Sequence, residues 1–363
     1  MTELADIFRQ YGPGYREQFG KRMPPSHLQA MRDIERCRTE ALGGHIYHCQ
    51  DCDEILYSYH SCRNRHCPKC QNGKARKWLE NQQALLLSVP FFMLTFTLPA
   101  ELKRVVRSNQ HIFYNLLFRS SAAAAQKLAR DPRFVGGQIG MVGILHTWGR
   151  NLIYHPHVHY LVPAGGLAPD GKTWLPGKKA FLVPAKALSK IFRTKFREAL
   201  KKARLIDEVP QTVWKQDWVV HCKPVGDGMA VMKYLAAYVF RVAISNHRIL
   251  KLEDGQVTFR YKDTETGKFK LCTLHAEAFI RRFLQHVLPK GFVKVRYYGL
   301  FSPSHRHKLT ALHQQLDSVL LNTHPEEGDQ EEDQYPDHTV RCPFCNRAMQ
   351  HQQRIQPQRE RPP

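Results

Sequence analysis

The sequence predicts an α+β protein: an antiparallel sheet flanked by helices, preceded by a small zinc-ribbon-like module. Three observations predict it. Strand-like and helix-like segments are mixed along the chain without strict alternation, the pattern of antiparallel rather than doubly wound sheets. Six of the ten cysteines fall between Cys37 and Cys70, marking a compact N-terminal unit. Apolar residues make up 42% of 363 residues, enough to bury a core, and the length suggests two or three domains.

The elements follow in order. Residues 73–88 have helical spacing and lead out of the cysteine module. PFFMLTFTLP (90–99) reads as a buried strand ending at Pro99. Residues 101–130 read as helix, with the alanine-rich SAAAAQKLAR near its end. Gly136 to Val162 is strand-rich, and the turn AGGLAPDG follows. Residues 186–204 form a basic amphipathic helix, 217–224 a strand, and 228–244 a strongly apolar helix. QVTFRYKD and KFKLCTL make a hairpin, 277–288 a helix and 292–303 a strand. After residue 322 the chain is acidic, then polar and proline-rich, and both stretches read as disordered; between them lies Cys342-Pro-Phe-Cys345, a candidate metal half-site. The expected units are a zinc-binding module (1–85), a main domain (86–310) and a mostly disordered tail (311–363).

Lys and Arg outnumber Asp and Glu by 54 to 32, a net charge of +22. That excess points to a polyanionic partner, because phosphate contacts dominate nucleic-acid affinity. No basic amphipathic anchor or lipidation signal argues for a membrane instead. The longest apolar run, Ala84 to Pro99, is interrupted by Ser88 and Pro90, and Met1 leads into no apolar signal core. The expected location is cytoplasmic, where cysteines bind metal rather than form disulfides.

Cys49-x2-Cys52 and Cys67-x2-Cys70 are two knuckles separated by fourteen residues. Facing each other, they would complete a tetrahedral, coordinatively closed and therefore structural Zn²⁺ site. Cys37, His45, Cys62 and His66 lie in the same segment and form a second candidate set of Cys2His2 composition. Arg63, Arg65 and Lys69 make this module basic, which suits DNA binding.

His155, His157 and His159 recur at period two. On a strand, neighbours at that spacing share a face about 6.6 Å apart and can reach one ion, while the outer two, about 13 Å apart, cannot. Pro156 belongs at a strand start or edge, which favours His157 and His159 flanking an inward Val158. A third ligand must come from elsewhere: His146 is the candidate, with Gln138 or an acidic residue as rivals. Such an open set suits transition metals, or Mg²⁺ or Mn²⁺ where phosphate oxygens complete the shell.

Tyr234 and Tyr238 are four apart in the apolar helix, so their hydroxyls project together. With an ordinary pKa near 10, each needs a cation or a polarised phosphate to act as a nucleophile. Lys233 sits beside Tyr234, and Arg241, Asn246 and Arg248 follow as candidate phosphate contacts.

These motifs resemble the HUH-type rolling-circle transposases with two tyrosines that insertion sequences encode, relatives of replication-initiator relaxases. The resemblance covers most of the chain. It rests on CRTEALGGHIYHCQDC and SCRNRHCPKCQ in the first module. In the second it rests on FTLP, LHTWGRNLIYHPHVHYLVPAGG, FLVPAKALSKIFRTKF, YLAAYVFRVAISNHRI and VRYYGLFSPSHR. It implies an HUH endonuclease fold with His157 and His159 as the metal pair on a central strand. It also implies that Tyr234 and Tyr238 are nucleophiles, that the substrate is single-stranded DNA, and that the intermediate is a 5′-phosphotyrosine with a free 3′-OH. No Walker-A motif is present, so strand opening falls to host helicase or replication machinery or to DNA hairpins. Two rivals stay open on the residues alone: a metallonuclease without a covalent intermediate, and a zinc-dependent DNA-binding protein without catalysis.

Overall fold

The computed structural model describes residues 2–70, 78, 82, 85–178, 180–227, 239–240, 242–263, 266–321 and 339–358. Its centre is a five-stranded antiparallel sheet. The strands are β3 (Pro90–Thr97), β4 (Gly140–Trp148), β5 (Tyr154–Pro163), β6 (Val220–Asp227) and β10 (Val295–Gly299), in the order β10-β4-β5-β3-β6. The long apolar runs of β3 to β5 follow from burial on both faces. Alternation still sorts the faces, because successive side chains point to opposite sides.

One face carries Leu94, Phe96, Val158, Tyr160 and Val162. It packs on helices α3 (Gln110–Ala129) and α4 (Ala185–Lys202). Here Gly143 lies opposite Tyr160, and a Cβ at Gly143 would come within 2.5 Å of the Tyr160 ring, so glycine makes room for the aromatic. The Tyr160 hydroxyl donates to the Phe118 carbonyl at 3.0 Å and meets Ser121 Oγ at 2.8 Å, so its burial leaves no polar atom stranded. The other face carries Phe91, Val142, Ile144 and Leu161. It packs on Val239, Phe240, Leu300, Phe301, and Leu309 and Leu312 of helix α6 (His307–Leu321).

A second core joins the N-terminal helices α1 (Leu4–Phe19) and α2 (Pro25–Arg36) to a smaller antiparallel sheet. That sheet contains β7 (Ile249–Glu253), β8 (Gln256–Lys262) and β9 (Phe269–His275), followed by helix α5 (Ala276–Leu284). Leu4, Ile7, Phe8 and Ile34 interdigitate with Phe259, Phe279, Ile280 and Phe283. The N-terminal module thus shares its core with residues 243–287. No helix among the described residues is long and apolar enough to cross a membrane.

The third sheet corrects the sequence reading of the tail. Strand β11 (Gln350–Ile355), expected to be disordered, pairs antiparallel with β1 (Gly44–His48), which also pairs with β2 (Ile55–Tyr59). Five of its six side chains are polar and exposed, so composition carries no strand signal; backbone pairing and the Cys342 hairpin before it hold it in place.

Buried His286 ties the two cores together. Its Nε2–H donates to the Leu152 carbonyl at 3.0 Å, and Nδ1 meets Thr147 Oγ1 at 3.3 Å. Burial pushes its pKa down to about 4 from an ordinary 6.5. The unfolded chain therefore binds a proton that the folded chain rejects between those values. Stability present above pH 6.5 should fall by about 3 kcal/mol as pH drops to about 4, and no further below it. Urea midpoints at pH 7 and pH 4.5 check this: His286→Gln, which keeps a donor but does not titrate, should flatten the decline.

Candidate functional site

The strand register brings three histidines together. His146 of β4 stands directly opposite His157 of β5, and Ile144 opposite His159, so His146, His157 and His159 share one face. Their ligand atoms all lie within 4.8 Å of one another. Val158, between the pair, is fully buried on the other face. Gln138, the rival third ligand, lies beyond the opposite end of β4 and bridges to Leu167. His155 stays at the margin, its ring 5.2 Å from that of His157, and burial lowers its pKa.

The hydrogen bonds of this set suit metal ligation. His157 Nδ1 lies 2.6 Å from the His155 carbonyl. A carbonyl only accepts, so Nδ1 carries the proton and Nε2 keeps its lone pair for an ion. His159 Nδ1 meets Thr95 Oγ1 at 2.9 Å across the β3–β5 ladder; with that hydroxyl accepting, the ring would present Nε2 to an ion. Thr95 is a positioning residue that the sequence reading missed, because only the register places it beside His159. Thr95→Val should weaken divalent-metal affinity by about 10- to 100-fold with little change in melting temperature. Isothermal titration with Mn²⁺ checks this.

The set opens onto a cavity of about 560 Å³ lined by Trp148, Arg150, Asn151, Arg248, Lys262 and Asp263. Arg248 Nε donates to the Arg260 carbonyl at 3.0 Å, and Arg248 also bonds the Arg150 carbonyl; this fixes a guanidinium at the wall. The Asp263 carboxylate accepts from the Thr266 amide and Lys270, which hold its pKa well below the usual range. Trp148 stacks on His146 with ring centroids 4.8 Å apart, and Lys294 Nζ lies 5.2 Å from the Trp148 ring. That amine donates to the Val239 carbonyl at 3.0 Å; burial, and then the Arg65 charge, lower its pKa to about 7. Tyr234, Tyr238, Lys233 and Arg241 lie outside the described residues. Val239 and Phe240, which follow Tyr238, pack on the sheet face that carries the three histidines.

The cysteines group differently from the sequence expectation. Cys67 and Cys70 join Cys37 and Cys62, and Cys49 and Cys52 join Cys342 and Cys345. The expected set of Cys49, Cys52, Cys67 and Cys70 is therefore corrected. Cys49-x2-Cys52 is the turn of the β1–β2 hairpin, while Cys67-x2-Cys70 packs beneath the end of α2, where Cys37 sits. The expected Cys37, His45, Cys62 and His66 set is corrected too. His45 Nδ1 meets His351 Nε2 at 2.9 Å, His66 Nε2 accepts from the Leu288 amide at 3.3 Å, and neither joins a sulfur group.

Sulfur separations are 3.4 Å for Cys37–Cys70 and 3.6 Å for Cys62–Cys70. They are 3.4 Å for Cys49–Cys345 and Cys52–Cys342, and 3.7 Å for Cys52–Cys345. These are too long for a disulfide of about 2.05 Å. They approach the edge of roughly 3.8 Å in a tetrahedron of zinc–sulfur bonds of about 2.3 Å. Both groups thus fit structural zinc.

The remaining basic candidates are distributed. Arg63 lines a cavity of about 300 Å³ with Lys290, between the zinc module and the end of α5. Arg65 donates to the Phe292 carbonyl at 2.7 Å, which docks the module on the main domain. Lys69 pairs with Glu3 at 2.5 Å, and Asn246 Oδ1 accepts from the Leu4 amide at 3.2 Å. Tyr57 and Tyr59 stack with ring centroids 6.2 Å apart, and Tyr57 is exposed.

Two family descriptions match the chain. Residues 140–309 match the family described as "Putative transposase", and residues 7–98 match the "Transposase zinc-binding domain" of IS91 type. The chain is 40% identical over 373 residues to the "Putative transposase y4qJ" of Sinorhizobium fredii, covering 96% of this chain and 94% of that relative. It is 30% identical over 301 residues to the "Transposase for insertion sequence element IS801" of Pseudomonas savastanoi pv. phaseolicola, covering 75% of this chain and 71% of that relative. No solved structure matches. With its histidine strand inside the first match and six of its cysteines inside the second, the chain belongs to the IS91-type family of insertion-sequence transposases with an N-terminal zinc-binding domain.

Proposed function

We propose that this transposase is an HUH endonuclease that nicks and rejoins single-stranded DNA through Tyr234 and Tyr238. The observation that carries the reading is the convergence of His146, His157 and His159 on one open, basic cavity. Packing of Val239 and Phe240 on the same sheet face supports it further, since they follow Tyr238 directly. A divalent ion held by the three imidazoles, Mn²⁺ or Mg²⁺, would polarise a phosphate oxygen.

The chain's own residues do the rest. Arg248, Arg150 and Lys262 offer positive charge to the phosphate backbone along the cavity wall. One tyrosine oxygen attacks phosphorus; the P–O3′ bond breaks, and the leaving 3′ oxygen takes a proton. The 5′-phosphotyrosine stores the phosphodiester energy, so a later 3′-OH rejoins the strand without ATP. The second tyrosine serves the other strand or end. Arg63 and Lys69 of the zinc module, with Arg65, Lys233, Arg241 and Asn246, are the further candidate contacts to DNA. Exposed Tyr57, stacked with half-buried Tyr59, presents an aromatic face on which an unpaired base can stack. Strand opening comes from host helicase or replication machinery, or from hairpins at the element ends.

The test incubates single-stranded oligonucleotides bearing the element's ends with protein and Mn²⁺, then resolves products on a denaturing gel. A protein–DNA adduct that is absent from Tyr234→Phe/Tyr238→Phe supports the reading. Cleavage without any adduct would make the protein a hydrolytic metallonuclease.

A further inference from the structure

The Cys342–Cys345 knuckle lies far in sequence from the zinc-binding domain, yet it faces that domain's first knuckle. The two are built alike. Cys49 and Cys52 are followed by Asp53 at φ 56°, and Cys342 and Cys345 by Asn346 at φ 58°. Asn and Asp are the side-chain-bearing residues that most readily take this left-handed conformation, which turns the chain back beneath the sulfurs. Each turn closes its own hairpin: the Cys49 amide donates to the Glu54 carbonyl at 2.9 Å, and the Cys342 amide to the Arg347 carbonyl at 2.8 Å. Cys49 and Cys342 are buried together with Met349, under Tyr47 and Leu56.

The contacts around this centre are specific to the pairing. Arg347 Nη1 reaches Asp51 Oδ1 at 2.9 Å, and Gln50 Nε2 donates to Gln350 Oε1 at 2.8 Å. Strand β11 runs along β1 from Gln350 opposite His48 to Ile355 opposite Gly44. Beyond it, Arg36 donates to the Gln358 carbonyl at 3.1 Å. Gly43 admits this strand end: its φ is +69°, and a Cβ there would stand 2.6 Å from the Ile355 carbonyl oxygen. Exposed polar strands such as β11 bury too little to stay docked unaided.

We propose that Cys49, Cys52, Cys342 and Cys345 bind a second structural zinc ion, which clasps the C-terminal segment 339–358 onto the N-terminal domain as a third strand of its sheet. The zinc-binding domain is then composite, built from both ends of the chain and separate from the buried centre at Cys37, Cys62, Cys67 and Cys70. Binding replaces four thiol protons by one ion, so the clasp closes only where thiols are reduced and zinc is available.

Metal content by mass spectrometry of the full chain under native conditions tests this. Two zinc ions per chain are expected, falling to one in both Cys342→Ser/Cys345→Ser and Cys49→Ser/Cys52→Ser. A companion experiment keeps every cysteine and inserts a site-specific protease sequence within residues 326–333. After cleavage the C-terminal fragment should co-elute with the rest of the protein on gel filtration, and in the Cys342→Ser/Cys345→Ser background it should be released. One zinc in the unaltered chain, two in the Cys342→Ser/Cys345→Ser variant, or release of the fragment with all cysteines present would each overturn the clasp.

Discussion

Replacing His157 and His159 together with alanine is expected to lower strand cleavage by about 10³-fold or more. The ion they would hold supplies several kcal/mol of charge stabilisation at the phosphate, and each 1.4 kcal/mol is about tenfold in rate. The fold should tolerate the change. Both side chains are only part-buried and face a cavity, while the core of the strand is made by Val158, Tyr160 and Val162 on the other face. Each truncation should cost no more than the ordinary point-mutation value of about 1 kcal/mol. Affinity for single-stranded DNA without added divalent ions should change little, because Arg150, Arg248 and Lys262 remain. Quantified gel cleavage beside filter binding separates the two effects. Undiminished cleavage in the double variant would remove the histidine set from the chemistry.

The second large effect is at the buried sulfur centre. Cys62→Ser/Cys67→Ser should abolish cooperative folding of the N-terminal half, not merely weaken it. Zinc at such centres contributes about 10–16 kcal/mol in small domains, as much as the whole stability of an ordinary protein. Cys37, Cys67 and Cys70 belong to the same core as Leu4, Phe8, Phe259, Phe279 and Phe283, so the damage should spread into the β7–β9 sheet. The expected signature is loss of the sharp thermal transition and of near-ultraviolet dichroism, with most protein insoluble. The Cys49→Ser/Cys52→Ser pair should keep both signals, since its centre packs only a small cluster at the edge. A variant of Cys62 and Cys67 that melts as sharply as the parent would show that packing, not metal, holds this core.

Much of the main domain was legible in the sequence, for physical reasons that particular residues illustrate. Apolar runs at 90–99 and 136–162 announce strands buried on both faces, and the structure forms β3, β4 and β5 there. Period-two spacing places His157 and His159 on one side, and the register adds His146 opposite His157. Thr95 escaped notice because strand order, unlike alternation, leaves no local mark. The sulfur pairing also escaped. Three Cys-x2-Cys knuckles look alike locally, and nearness in the chain favoured the wrong partners. Cys37 and Cys62 complete the buried centre only because α2 ends where Cys67 and Cys70 turn. A usable signal was present: Asp53 and Asn346 follow their knuckles identically, whereas Gln71 follows Cys70. Strand β11 was invisible because its partners are backbone atoms, which composition does not report.

The measurement closest to the central claim is mass spectrometry of the protein–DNA adduct. Protein incubated with a single-stranded element end and Mn²⁺ is digested with protease and nuclease, and the cross-linked peptide is sequenced. The account predicts a nucleotide joined through its 5′ phosphate to Tyr234 or Tyr238. A 5′-phosphate bond to any other residue, or cleaved DNA with both ends free, would contradict it.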